Sequence, residues 1–127
     1  MMGVEMRPCF VVTPDVEGEL PRLAVVERLV EVVDGGTYVC RMLDLPWCPC
    51  PWRTVTLRLE GLEATSDLRG KIRAHAARCY VARHLERAEN IALRDIRRDT
   101  GGRVLADVHA DFHSLTEFLV EAMECRG

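Results

Sequence analysis

The sequence predicts a mainly β fold with helices, an α+β chain built around a small barrel of about five short strands. Three observations carry this. Two stretches alternate apolar and polar residues with a period of two, as half-buried strands do. Two others switch to helical spacing. Clusters of Pro, Gly and Asp separate them. At 127 residues, nearly half of them apolar, the chain is long enough for one domain with a modest core.

Residues 1–22, centred on TPDVEGELP, are rich in Pro, Glu and Gly and read as an N-terminal arm or surface-hugging extension. The domain proper is expected over 23–127. Its first segment, RLAVVERLVEVVDGG (Arg22 to Gly36), permits a helix by period alone. The β-branched residues and the closing Asp-Gly-Gly favour one or two strands ending in a hairpin turn. TYVCRML follows, with Tyr38, Cys40 and Met42 on one face. DLPWCPCPW holds three prolines and is irregular. RTVTLRLEGLE resumes alternation: Val55, Leu57 and Leu59 point inward, and Arg58 points away from the core.

From Ser66 to about Asn90 the spacing is helical, with Ser66 or Asp67 as cap. Leu68, Ile72, Cys79, Ala82 and Leu85 form the expected buried stripe. Arg69, Arg73, Arg78, Arg83 and Arg87 fall mostly off it. NIALRDIRRD reads as a strand with Ile91, Leu93 and Ile96 inward. Asp99 to Gly102 is a turn, and RVLADVHA another strand. Ser114 followed by Glu117 is a capping box opening a last helix. Its apolar face is Leu115, Phe118, Leu119, Ala122 and Met123. Short antiparallel strands with packed helices fit the OB-fold, a five-stranded barrel.

The net charge of −3 argues against a polycation made for non-specific nucleic-acid binding. It hides an asymmetry. Residues 67–98 carry nine basic and four acidic side chains, whereas residues 99–127 carry two and six. An anionic partner would meet the middle segment. No leader-like or membrane-spanning apolar run is visible. Six cysteines without a secretory signal suggest free thiols in a reducing compartment. The chain is therefore expected to be soluble and intracellular, with no membrane insertion.

Three motifs in order resemble the staphylococcal nuclease-like family. VVDGGTYVCRM resembles that family's first hairpin, V-x-D-G-D-T-x-x-V. LRLEGLEATS resembles its R-L-x-G-I-D-A-P-E segment. DTGGRVLADVHADFHSLTEFLVEAM resembles D-x-Y-G-R-x-L-A-x-V followed by S-L-x-x-x-L-V. The match covers roughly residues 23–124, and it implies an OB-fold barrel of staphylococcal nuclease type. It also implies calcium-dependent phosphodiester hydrolysis, in which carboxylates hold a cation, a base prepares water and arginines hold the phosphate.

Carried over by position, that set is incomplete here. Arg58 and Arg103 match the family's two arginines. Glu63 stands for a metal-binding aspartate, one methylene longer. Ser66 stands where the family has its glutamate, and Gly36 where it has a second metal aspartate. Loss of the base alone costs about 10²–10⁴ in rate. The resemblance thus implies a pseudo-nuclease that binds or supports other protein subunits and needs no cofactor. The alternatives are a phosphodiesterase with a remodelled calcium site on Glu63, Asp34, Arg58 and Arg103, or a nucleic-acid-binding module.

Several readings of the residues stay open. Arg58 and Arg103 either clasp an anion or pair structurally with Glu60, Glu63 or nearby carbonyls. Asp34 either substitutes as a ligand or only stabilises its own turn. Trp47 and Trp52, on the proline-stiffened loop, are either contact anchors or fold back on the core. Cys48 and Cys50 with His109 and His113 form a conceivable zinc set, though C-x-C is not the usual knuckle. Arg73 and Arg78 lie on either a solvated helix face or a docking face.

Overall fold

A computed structural model of the chain describes residues 7–62 and 67–124. Strand β1 (Cys9–Pro14) is followed by β2 (Leu23–Asp34), β3 (Thr37–Leu43) and β4 (Thr54–Glu60). Helix α1 (Leu68–Arg87), strands β5 (Ile91–Arg98), β6 (Val104–Ala110) and β7 (His113–Ser114), and helix α2 (Leu115–Glu124) complete the order.

The expectation of a five-stranded OB-fold barrel is corrected. The chain is a mixed α+β fold on one antiparallel sheet of seven strands, in the order β1–β4–β3–β2–β5–β6–β7. Two of these strands escape a sequence reading. β7 is two residues long. β1 lies inside the segment expected to be an arm, yet it pairs with β4 along its length and with β6 from Phe10 to Val12. Phe10, Val11 and Val12 are all buried, so β1 is covered on both faces and shows no alternation.

β2 explains its own ambiguity. Val26 faces Met42, Leu29 faces Cys40 and Val32 faces Tyr38. The spacing is three on β2 and two on β3, because a bulge inserts one extra residue at each step. A bulged strand therefore carries the spacing of a helix face. The extra residues Val30 and Val33 are about half exposed. Elsewhere the alternation holds: Tyr38, Cys40, Val55, Leu57 and Leu93 are fully buried.

Helix α1 starts at Asp67, whose Oδ1 accepts the Gly70 N–H at 2.8 Å. It rests on the sheet through Gly70, Ala74, Val81 and Leu85. The expected stripe is corrected: Leu68, Ile72 and Cys79 face solvent, and only Leu85 and part of Ala82 are covered. The covered face is small at its N-terminal end, Gly70 and Ala74, and bulkier toward its C-terminal end, Val81 and Leu85. Helix α2 opens as its capping box predicts, with the Glu117 N–H donating to Ser114 Oγ at 3.2 Å. Leu115 and Leu119 are its buried residues, Ala122 is exposed, and the Met123 side chain lies outside the described ones. No helix among the described residues is long and apolar enough to cross a membrane.

Candidate functional site

The β2–β3 turn, the outer face of β4 and the middle of α1 enclose an open groove of about 1050 Å³. The turn contributes Asp34 to Thr37, β4 contributes Thr56, Arg58 and Glu60, and α1 contributes His75 and Arg78. Strand register sets this arrangement. Thr37 stands opposite Arg58, and period two sends Thr56, Arg58 and Glu60 outward while Leu57 and Leu59 enter the core. His75 and Arg78 are three apart on the helix and so share a side.

The turn is self-contained. Asp34 Oδ1 accepts the Gly36 N–H at 2.9 Å. That bond, followed by the Thr37 hydroxyl, holds the Asp34 carboxyl below its usual range. Behind the turn, the buried Tyr38 hydroxyl donates to the carbonyls of Gly35 and Arg78, both at 3.4 Å. Burial pushes its pKa up to about 12. Gly36 is buried, and the Arg78 side chain lies against it. A Cβ at position 36 would stand 3.5 Å from Arg78 Nε and 3.6 Å from the Leu59 carbonyl oxygen.

The arginines matched by position do not meet as a pair. Arg58 lies in the groove and is mostly exposed, with Nε 3.7 Å from Glu60 Oε2. Arg103 lies outside it. Its Nη1 contacts Glu60 Oε1 at 2.7 Å and its Nε contacts Asp99 Oδ2 at 3.0 Å. Glu60 thus bridges the two guanidiniums. The Arg103 backbone N–H, then its side chain, keeps Asp99 below the usual carboxylate range.

Glu63 and Ser66 lie outside the described residues, as do Ala64 and Thr65. Trp52 is corrected as a contact anchor: it is 2% exposed and part of the core, whereas Trp47 is 78% exposed. Arg73 is exposed on α1 and does not line the groove. The zinc set is not assembled. Among the described residues no three His, Cys, Asp or Glu side chains converge to hold a metal. His109 Nε2 instead pairs with Asp107 Oδ2 at 2.8 Å, and Cys48 Sγ lies 3.7 Å from the Leu23 carbonyl oxygen. His75 was missed by sequence reasoning, although its position one helical turn before Arg78 was a usable signal.

The described residues do not fit calcium. The ion needs several oxygens converging on one point. Asp34 is spent on its own turn, Gly36 offers no side chain, and a guanidinium stands beside it. Comparison of the chain with protein families, with curated proteins and with solved structures gave no match.

Proposed function

We propose that the chain is a catalytically degenerate relative of the staphylococcal nuclease-like family, a soluble intracellular protein that serves as a binding or structural subunit of a larger assembly. One observation carries this reading. At Gly36, where the motif match places a metal-binding aspartate, the nearest side-chain atom to a would-be Cβ is Arg78 Nε. A cation at that position opposes a second cation. The engagement of Arg58 and Arg103 by Glu60 supports the same reading, since the guanidiniums expected to hold phosphate already share a carboxylate.

The test is incubation of the purified chain with single-stranded DNA and with RNA, in calcium and in manganese. The expected outcome is no cleavage above the protein-free control, with Arg58→Ala indistinguishable from wild type. Cleavage that Arg58→Ala abolishes would overturn the proposal in favour of a metal-dependent phosphodiesterase. Salt-sensitive oligonucleotide binding without cleavage would replace it with a nucleic-acid-binding module.

A further inference from the structure

Helix α1 carries two apolar stripes, and only one has a partner. Each residue advances a helix by about 100°. Gly70, Ala74, Val81 and Leu85 therefore share the side that the sheet covers. Leu68, Ile72 and Cys79 fall within about 40° of one another on the opposite side. Leu68 is 72% exposed and Ile72 60% exposed, and Ala76 and Cys79 on the same stripe are exposed too. Single exposed apolar residues are ordinary, but Leu68 and Ile72 align on successive turns. His75 and Cys79 continue the line, with His75 Nε2 3.6 Å from Cys79 Sγ, and such an aligned exposed row marks a contact surface.

The charge around this stripe is one-sided. Arg69, Lys71, Arg73, Arg83 and Arg87 are exposed on α1, against Glu86 as the helix's one carboxylate. Arg69, Lys71 and Arg73 form no ion pair among the described residues. The first turn of α1 holds no acidic residue, although a helix N-terminus favours anions and disfavours cations. Arg69 and Lys71 oppose that preference, eased by the Asp67 cap, whereas Arg83 and Arg87 lie toward the C-terminal end that favours cations. What marks the face is its one-sided charge, which an acidic partner would answer.

We infer that the outward stripe of α1 is a docking face for an acidic amphipathic helix of a partner protein. Leu68 and Ile72 would enter the partner's apolar seam, and Arg69 and Arg73 would meet its flanking carboxylates, as in helix-on-helix recognition. The stripe holds the aliphatic Leu68 and Ile72 and no Phe, Tyr or Trp, and its one ring, His75, lies against Cys79. This decides against single-stranded nucleic acid, which needs a row of flat stacking partners. Tyr80, on the same helix, is packed on His84 with ring centroids 4.3 Å apart. The stripe also lacks the Trp or Phe that anchors interfacial helices in lipid. This inference rests on the reading of the chain as an assembly subunit and names its partner's chemistry; it does not depend on the lost catalysis.

The test uses the full chain and a fluorescent designed peptide of about 20 residues with Leu at heptad core positions and Glu beside them. Its charge-reversed Leu/Lys counterpart, phosphatidylserine vesicles and oligo-dT serve as competing probes. The Leu/Glu peptide is expected to bind in a salt-sensitive way. Affinity should fall by about tenfold or more in Leu68→Ser/Ile72→Ser and in Arg69→Glu/Arg73→Glu. These positions are exposed, so an unfolding midpoint no lower than that of the wild-type chain verifies that both variants fold. No binding, binding that both variants keep, or a preference for any competing probe would overturn the inference. Gel filtration of extracts from the source separates the two levels. A high-mass complex retained by both variants leaves the subunit reading standing and removes this face from it. Absence of any complex for the wild-type chain overturns both.

Discussion

Arg78 lies against Gly36, with its Nε 3.5 Å from where a Cβ would project. Such a distance is ordinary contact, and Gly36 does not adopt the left-handed backbone that only glycine tolerates. Gly36→Asp should therefore fold. The new carboxylate would pair with Arg78, and replacing glycine reduces the freedom of the unfolded chain. Position 36 is buried, so this pairing has to offset the desolvation of the carboxylate, and stability is expected to fall by about 1–3 kcal/mol. Because Arg78 takes up the added charge, the single variant should show no calcium binding by calorimetry and no calcium-dependent cleavage. Activity from Gly36→Asp alone would mean that Arg78 does not control the seat.

Acid should weaken the fold through Asp34 and Asp99. Both carboxyls sit below their ordinary 3.8, chiefly because backbone N–H groups of Gly36 and Arg103 donate to them. The folded chain thus holds fewer protons at these sites than the unfolded chain. Their contribution is complete above 3.8 and is lost as pH falls through the folded values. Thermal midpoints measured from neutral pH down to strong acid should drop in that window. Asp34→Asn and Asp99→Asn should each flatten the drop, and an unaltered profile in both would refute the assignment.

The two tryptophans of one loop should behave oppositely. Trp52, buried at 2% exposure, should cost about 3–5 kcal/mol when changed to Ala, as large core truncations do. Trp47, at 78% exposure, should change stability by no more than about 0.5 kcal/mol. Denaturant midpoints of the two variants decide this. Equal effects would mean that the loop folds back as one unit.

These residues also show what the sequence could reveal. Alternation in Thr37–Leu43 and Thr54–Glu60 placed Arg58 outward and Tyr38 inward, because each strand has one buried and one open face. The same rule fails for β1, whose two faces are both covered, and for β2, where three bulges turn a spacing of two into three. On α1 both sides carry apolar residues, so spacing alone does not choose between them: Gly70, Ala74, Val81 and Leu85 lie on the covered side, and Leu68 and Ile72 on the open one. The juxtaposition of Gly36 and Arg58 follows from the β3–β4 register and could be anticipated from the hairpin. The position of Arg78 over that turn depends on how α1 lies on the sheet, which no local pattern encodes.

Ser114 should be the costliest polar residue near α2. It is 6% exposed and serves two partners. Its hydroxyl donates to Asp107 Oδ1 at 2.8 Å and accepts the Glu117 N–H at 3.2 Å. Asp107 in turn holds His109 through its other oxygen. Removing the hydroxyl strips a cap from α2 and leaves one oxygen of a half-buried carboxylate without its donor. Ser114→Ala should therefore lower stability by about 1–3 kcal/mol. Ser114→Thr, which keeps the hydroxyl, should recover most of that loss if the added methyl is accommodated. Urea unfolding of the two variants checks this. A neutral Ser114→Ala would show that α2 is held by Leu115 and Leu119 alone and that the cap contributes nothing.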